Sequence, residues 1–501
     1  MSHSQWDDYR HGPPDNRCLT PQEFMEYDKP GQLAAPSDWL RDRNRSVGHV
    51  GHVGHVGHVG GAGEPKPVSV ADKKGVADTF YVPHSKSWYR LGREGNYVQS
   101  TIEDIKRTLK INGVEGRPHT SGGVSDVDHC IQYIQEVNTV HYAGRFAGYD
   151  AGRYLFPDGR ILVTESPNRI APLPGPFELL ERIVSGLMGG GDDKQCAYLK
   201  SWLKLSVQAI HGTDYAPGQI LGLVGPAECG KTLFQSIITA LLGGGSADPI
   251  PYFVGRSDFN QDLFAACHLA GGDSAYARDE KSRDSLGSHL KAIAAEEVHR
   301  MHGKGRDALH VRPKWRMSIS CNDEVEKVMV LPQLTPDIID KIILLKCSKV
   351  EVDSSFQGPH GRRLLWKSIL KELPCFLHHL LEEYKIPGDI AGTRFGMKAW
   401  QNPEIVGLLN SASKETELLL LIDRVLFSDA EPDLMRPWRG QYSGLLLLLK
   451  ESIDDQKLRS VLYRESNLGN MLGRIRDQYP HRVKSVANHG GTQVWEITPP
   501  P

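Results

Sequence analysis

The chain has 501 residues, with 59 Lys and Arg against 61 Asp and Glu, a formal net charge of -2 and 39% hydrophobic residues. These proportions belong to a globular chain long enough for several domains, and they exclude fibrous, wholly disordered and membrane-embedded classes. The near-balance of charge gives no global basicity, so any surface for nucleic acid has to be local.

The eight cysteines form no CxxC pair and no metal-ligand spacing, which points to reduced thiols in a cytoplasmic setting. The first ten residues carry no apolar core of signal-peptide type. No uncharged apolar run reaches the roughly 18–20 residues needed to cross a bilayer, so neither secretion nor a membrane partner is expected.

In chain order, residues 1–76 read as a disordered His/Gly-rich tail, because a segment this rich in Gly, Pro, Asp and Arg cannot bury enough apolar surface to offset its ordering entropy. It contains a tandem Val-Gly-His repeat, and the spacing of His49, His52, His55 and His58 suits Zn or Ni. A flexible repeat is the favoured reading. Residues 77–170 read as a small α+β domain. Strands are expected at Phe80–Val82 and Trp88–Leu91, followed by a helix from Ile102 to Ile111 capped by Thr101. A hairpin Tyr154–Phe156/Ile161–Val163 turns at Pro157-Asp158-Gly159. The Asp126/Asp128 pair raises the question of a primase metal site, since paired carboxylates hold catalytic metals. The region is too short for such a core, and the pair reads as a polar loop.

Residues 171–217 form a helical linker region, with helices at Phe177–Leu187 and Gln195–Ile210 separated by Gly189-Gly190-Gly191. From 218 to 354 strands and helices alternate, which predicts a parallel α/β core. Residues 355–416 read as helical, and 417–501 as a winged-helix-like domain ending in a strand, turn and strand. Arg459, Arg464, Arg474, Arg476, Arg482 and Lys484 cluster there, with the helix Leu468–Gln478 as a candidate groove binder.

The strand Ile220–Val224 runs into Gly225-Pro226-Ala227-Glu228-Cys229-Gly230-Lys231-Thr232 and then a helix. This is G-x-x-x-x-G-K-T in its required strand-loop-helix context. Glycines let backbone N–H groups close around phosphates and the helix N-terminus adds positive potential. Lys231 reaches the terminal phosphates, and the Thr232 hydroxyl is a Mg²⁺ ligand. A bound nucleoside triphosphate also needs a carboxylate at a neighbouring strand end. Asp273, ending Cys267–Asp273, is the candidate, with Asp279 or Glu280 as alternatives for a base because Ser274 stands beside it. The strand Trp315–Cys321 delivers Asn322, an amide suited to orienting the attacking water near the γ-phosphate.

The run from Gly218 to about Val350 resembles the AAA+ ATPase module of superfamily 3 helicases, and most closely the primase-helicases of phages, plasmids and integrated elements. The matching stretches are the phosphate loop, Asp273, Met301-His302-Gly303-Lys304-Gly305-Arg306-Asp307, Ser320-Cys321-Asn322, Leu331-Pro332-Gln333-Leu334 and Asp340-Lys341-Ile342. The resemblance implies a P-loop NTPase core using ATP and Mg²⁺. It also implies a homo-hexamer and a channel hairpin whose His302, Lys304 and Arg306 grip single-stranded DNA. A basic residue crossing to the neighbouring subunit's nucleotide is implied as well. Lys341 stands where that family usually has Arg, with Arg283 or Arg316 as substitutes. The expected function is ATP-driven translocation or unwinding on single-stranded DNA in replication of a virus or mobile element, with a separate primase or other replication proteins as partners. The competing readings are another P-loop ATPase, for DNA packaging or signalling, and a nucleotide-gated nucleic-acid-binding module with little hydrolysis.

Overall fold

The computed structural model describes residues 75–118, 122–212, 216–272, 280–324, 327–411, 413–427, 436–462, 464–489 and 492–500. The tail with its Val-Gly-His repeat, and Asp273 and Asp279, lie outside the described residues. The side chains of Glu280 and Arg283 are likewise outside that set.

The described chain begins with an antiparallel sheet of β1 (Thr79–Val82), β2 (Ser87–Leu91) and β3 (Tyr97–Ser100), in the order β1-β2-β3. The helix α1 (Ile102–Ile111) starts where expected: the Thr101 side chain accepts from the Asp104 amide, relieving one of the orphan N–H groups of the first turn. The Asp126/Asp128 pair lies in no loop. It forms the first turn of α2 (Asp126–Val137), where Ser125 accepts from the Asp128 amide and donates to the Asp128 carboxylate at 2.6 Å. That is a capping arrangement stabilised by the helix dipole, and Asp128 also pairs with Lys106. The carboxylates thus serve a helix start rather than a metal.

Next come β4 (Tyr142–Gly144) and the hairpin β5 (Gly152–Phe156)/β6 (Gly159–Val163). Tyr142, Phe146, Phe156, Ile161 and Val163 from this segment share one hydrophobic cluster with the parallel core, and Phe146 stacks against Phe264. Two helices lead onward, α3 (Glu178–Leu187) and α4 (Asp193–His211). From α4, Trp202 donates its indole N–H to the Gln219 carbonyl at 2.7 Å and so anchors the entry to the strand that begins at Ile220.

The core is a parallel sheet of β7 (Ile220–Val224), β8 (Ser246–Ala247), β9 (His268–Gly271), β12 (Arg316–Cys321) and β13 (Ile342–Lys346), ordered β13-β7-β12-β9-β8. All five residues of β7 and all six of β12 are buried. Strands covered on both faces need such runs of apolar or small residues, which β12 keeps after its first residue, Arg316. Gly222 belongs to this constraint, because a Cβ there would lie 2.5 Å from the Leu344 side chain. Helix α5 (Lys231–Leu241) follows β7, the short α6 (Ile250–Phe253) and α7 (Glu280–Ala295) flank β9, and a hairpin of β10 (His299–Met301) and β11 (Leu309–Val311) precedes β12.

Beyond the sheet lie α8 (Gly358–His378), α9 (Pro403–Ser411) and α10 (Lys414–Phe427), the last of which runs across the 416/417 boundary read from the sequence. Then come β14 (Trp438–Gln441), α11 (Tyr442–Ser452), α12 (Asp455–Leu462), α13 (Leu468–Gln478), β15 (Val483–His489) and β16 (Thr492–Ile497). These last elements and α10 surround a core of their own that includes Ile422, Leu445, Leu472 and Trp495. No helix among the described residues is long and apolar enough to cross a membrane.

Two histidines, His268 fully buried and His211 half-buried, give the fold a pH signature. Burial pushes the pKa of His268 down to about 3. Burial, reinforced by the charge of Arg169, pushes that of His211 down to about 4. Both rings stay neutral when folded, whereas the unfolded chain binds protons near pH 6.5. Their contribution is complete above that pH and is lost as pH falls toward 4 and 3, at up to about 1.4 kcal/mol per pH unit per histidine. The urea midpoint therefore drops between pH 7.5 and pH 5, and His268→Gln flattens the slope. Parallel slopes for wild type and variant would contradict this assignment.

Candidate functional site

The site begins where β7 ends. Gly225 is required there because a Cβ would lie 2.3 Å from the Cys347 carbonyl oxygen. The loop then passes through two left-handed residues, Glu228 at φ 57° and Gly230 at φ 110°. A left-handed glutamate costs about 1–2 kcal/mol, a strain of the kind that collects at functional loops. Glu228 is exposed at the rim while Cys229 is buried beneath it. Gly230 stands at the start of α5 and supplies no side-chain cap, so the first-turn amides keep their capacity to bind an anion.

Lys231 is buried, and its ammonium donates to the carbonyls of Gly225 (2.8 Å) and Pro226 (2.7 Å) and to Oδ1 of Asn322 (3.2 Å), with Cys229 Sγ at 3.5 Å. Every one of these partners is neutral. Among the described residues no carboxylate pairs with Lys231, and the partners that surround its charge there are dipoles. Such a charge in a partly desolvated place favours an anionic occupant. Register explains why Asn322 is there: Cys321 pairs with Val224 across β12 and β7, which sets the next residues of the two strands side by side.

The cleft above the loop has a volume of about 440 Å³ and is lined by Glu228, Lys231, Thr232, Ser320, Asn322 and Arg362 among others. Thr232 is exposed at its mouth. The structure thus brings Lys231, Thr232 and Asn322 together. Behind the loop, burial, helped by the neighbouring Cys229 and opposed by Lys231, raises the Cys347 pKa well above its usual value, which keeps that thiol protonated and inert at neutral pH.

Arg362 was not singled out in the sequence. It sits in the first turns of α8, a helix whose placement depends on a contact made far along it. Phe177 gives α3 no side-chain cap. The Glu372 carboxylate of α8 instead accepts from the amides of Leu179 (3.3 Å) and Leu180 (2.8 Å). That contact locks α8 against α3, and the other end of α8 carries an exposed guanidinium into the cleft.

The β10/β11 hairpin lies apart from this cleft. Lys304 is exposed in its turn and Gly305 takes φ 68°. His302 and Arg306 are half-buried. Asn260 clasps the hairpin, accepting from the His302 amide at 2.7 Å and donating to the Arg300 carbonyl at 2.9 Å. On the other side, Asp158 of the β5/β6 turn accepts from the His310 amide (2.9 Å) and its ring. The charge of Arg306 is close enough to help lower the pKa of His84, after burial. Of the three residues expected to grip a strand, Lys304 is the one presented openly to solvent.

Lys341 lies at the opposite end of the sheet from the phosphate loop, immediately before β13, whose first residue pairs with the first residue of β7. Its ammonium is held by the Asp337 carbonyl at 2.8 Å and by Asp340 at 2.7 Å. The Arg316 substitute is ruled out by geometry. It is buried, its guanidinium donates to the carbonyls of Trp315 (2.9 Å) and Ala216 (3.0 Å), and it packs where Gly218 has no Cβ. Several C-terminal basic residues are also committed: Arg459 to Asp455, Arg474 to Glu415, Arg476 to Asp477 and Arg482 to Asp423. Lys484 is exposed.

Residues 223–333 match a family described as a family of unknown function, DUF5906. No curated protein matches the chain. Among solved structures, the apo form of the NrS-1 C-terminal region is similar at 11% identity and a TM-score of 0.49, covering 84% of this chain and 96% of that one. Its A form gives 12% identity, a TM-score of 0.47 and the same coverage. A JCV helicase bound to a thiazolopyridine compound gives 12% identity and a TM-score of 0.20 over 58% of this chain and 72% of that one.

The structural assignment of Arg316 is open to direct test. Arg316→Ala leaves buried carbonyls without donors and lowers unfolding stability by about 1–3 kcal/mol, measured by urea denaturation. A variant as stable as the wild type would show that the side chain serves something other than the fold.

Proposed function

We propose that this protein is an ATP-driven helicase or translocase that acts on single-stranded DNA during replication of a virus or mobile element. The observation that carries the reading is the meeting of a buried, dipole-compensated Lys231 with Asn322 at an uncapped helix start, with Arg362 across the cleft. A nucleoside triphosphate suits that cradle. Its phosphates would take the loop amides and the Lys231 ammonium, which already holds oxygen ligands that a phosphate oxygen can replace. Asn322 would orient water at the terminal phosphate and Arg362 would offset charge developing there.

Thr232 and Asp273 would hold Mg²⁺, which neutralises phosphate charge when bound. The exposed Thr232 hydroxyl beside Lys231 and a carboxylate two residues beyond β9 are the hard oxygen donors that this ion takes. Lys304 would contact the DNA backbone as a point charge. In a homo-hexamer, the exposed hairpins would gather around one strand and a neighbouring subunit would complete each nucleotide site, through Lys341 or through an arginine. A primase or other replication proteins are the expected partners.

ATP turnover with and without single-stranded DNA tests this reading in wild type, Lys231→Ala, Arg362→Ala and Lys304→Ala. DNA stimulates the wild type. Lys231→Ala has no turnover, Arg362→Ala loses about 10–100-fold, and Lys304→Ala hydrolyses ATP without responding to DNA. Turnover that ignores DNA in the wild type points to a packaging or signalling ATPase. Nucleotide binding with no turnover points to a nucleotide-gated binding module.

A further inference from the structure

Behind the cleft runs a chain of buried polar side chains, one of which, Ser320, also lines the cleft. Gln235, one turn into α5, donates through Nε2 to the Gly271 carbonyl (3.0 Å) and to Ser318 Oγ (3.0 Å), and accepts at Oε1 from Ser320 Oγ (2.9 Å). His268 contacts Thr239 Oγ1 through Nδ1 at 2.7 Å and Ser318 Oγ through Nε2 at 2.9 Å, and the Thr239 hydroxyl donates to the Gln235 carbonyl at 2.9 Å. All five side chains are at least nine-tenths buried.

The proton directions close consistently. Because the Thr239 hydroxyl donates to Gln235, its oxygen accepts from Nδ1–H of a neutral His268. Nε2 then accepts from Ser318, which leaves the Ser318 oxygen to accept from Gln235. The network therefore admits one arrangement, and losing any member strands a buried polar group.

Its endpoints matter more than its length. Gln235 belongs to the helix that presents Lys231 and Thr232. Gly271 lies two residues before Asp273 in sequence, and Ser320 two residues before Asn322. Resting on the ATPase reading above, we propose that Gln235 is a positioning residue. By holding the ends of α5, β9 and β12 at fixed separations, it sets where Lys231 and the Mg²⁺-holding Thr232 stand relative to the water-orienting Asn322. Chemistry at a phosphorus centre is sensitive to displacements of about 1 Å, which can cost about a hundredfold, so a rigid brace here has a direct consequence for rate.

The test compares Gln235→Met, close in volume, with Thr239→Val, which removes a hydroxyl from the far end of the network. Three quantities are read: binding of a fluorescent non-hydrolysable ATP analogue with and without Mg²⁺, turnover, and thermal unfolding. Gln235→Met binds the analogue without Mg²⁺ within about threefold of wild type. It loses about tenfold of the tightening that Mg²⁺ brings, and kcat falls about 10–100-fold with a smaller change in KM. Thr239→Val unfolds at lower temperature but keeps the Mg²⁺ tightening. Wild-type tightening in Gln235→Met, or equal loss in Thr239→Val, overturns the proposal. If Gln235→Met does not fold, Ser320→Ala is read for the same loss, and full tightening there overturns it. A wild type that binds with Mg²⁺ tightening but never hydrolyses refutes the ATPase reading alone, and the tightening comparison still decides the role of Gln235. A wild type that binds no analogue refutes both.

Discussion

The pairing of β7 on both of its edges is the constraint from which the rest of the site follows. Held between β12 and β13, β7 has no freedom to slide, and its last residue faces Cys321 on one side and Lys346 on the other. The loop that leaves it must squeeze past Cys347, whose amide donates back to the Val224 carbonyl at 2.6 Å. Only glycine at 225 fits that passage. Turned inward by this path, the chain buries the Lys231 ammonium, whose oxygen partners among the described residues are all neutral. The placement of that charge at the mouth of the loop is thus a consequence of sheet geometry.

The surroundings divide into a rigid part and a carried part. Rigid support comes from the polar network around Gln235 and from Glu372, which ties α8 to α3 and fixes the approach of Arg362. The hairpin is carried: Asn260 grips it from the core side and Asp158 from the β5/β6 turn. Any displacement of the hairpin would therefore strain or shift the β4–β6 layer as well. The C-terminal core is joined to the β12–β13 connection by Glu415, a carboxylate only 2% exposed that accepts from Gln333 (3.2 Å) and from Arg474 (3.3 Å). A buried carboxylate has to keep its donors, because an unpaired one is costly, so this contact fixes how the two parts meet.

Local signals made much of this legible in the sequence. The Thr101 cap, the Asp158 turn, the apolar strand before Gly225 and the strand that delivers Asn322 each sit within a few residues of their cause. Ser125-x-x-Asp128 is equally local, but without its helix in view the Asp126/Asp128 pair reads as a polar loop, and the structure makes it a helix start. Arg362 carried no motif, since its place in the cleft depends on a carboxylate ten residues further along α8 meeting the start of α3. Arg316 resembled a mobile finger until its packing against the bare Cα of Gly218 became visible. The C-terminal arginines looked like a basic patch because Glu415 and Asp423, which take up two of them, lie about sixty residues away in the chain.

The central claim concerns the amides between residues 227 and 232. Hydrogen–deuterium exchange across that segment, with nucleoside, diphosphate and triphosphate in the presence of Mg²⁺, addresses it most directly. The account predicts that exchange at these amides slows with the phosphorylated nucleotides, most with the triphosphate, and is unchanged by the nucleoside. Exchange that stays the same with saturating triphosphate, in a protein whose β7 and β12 amides remain protected, would contradict it.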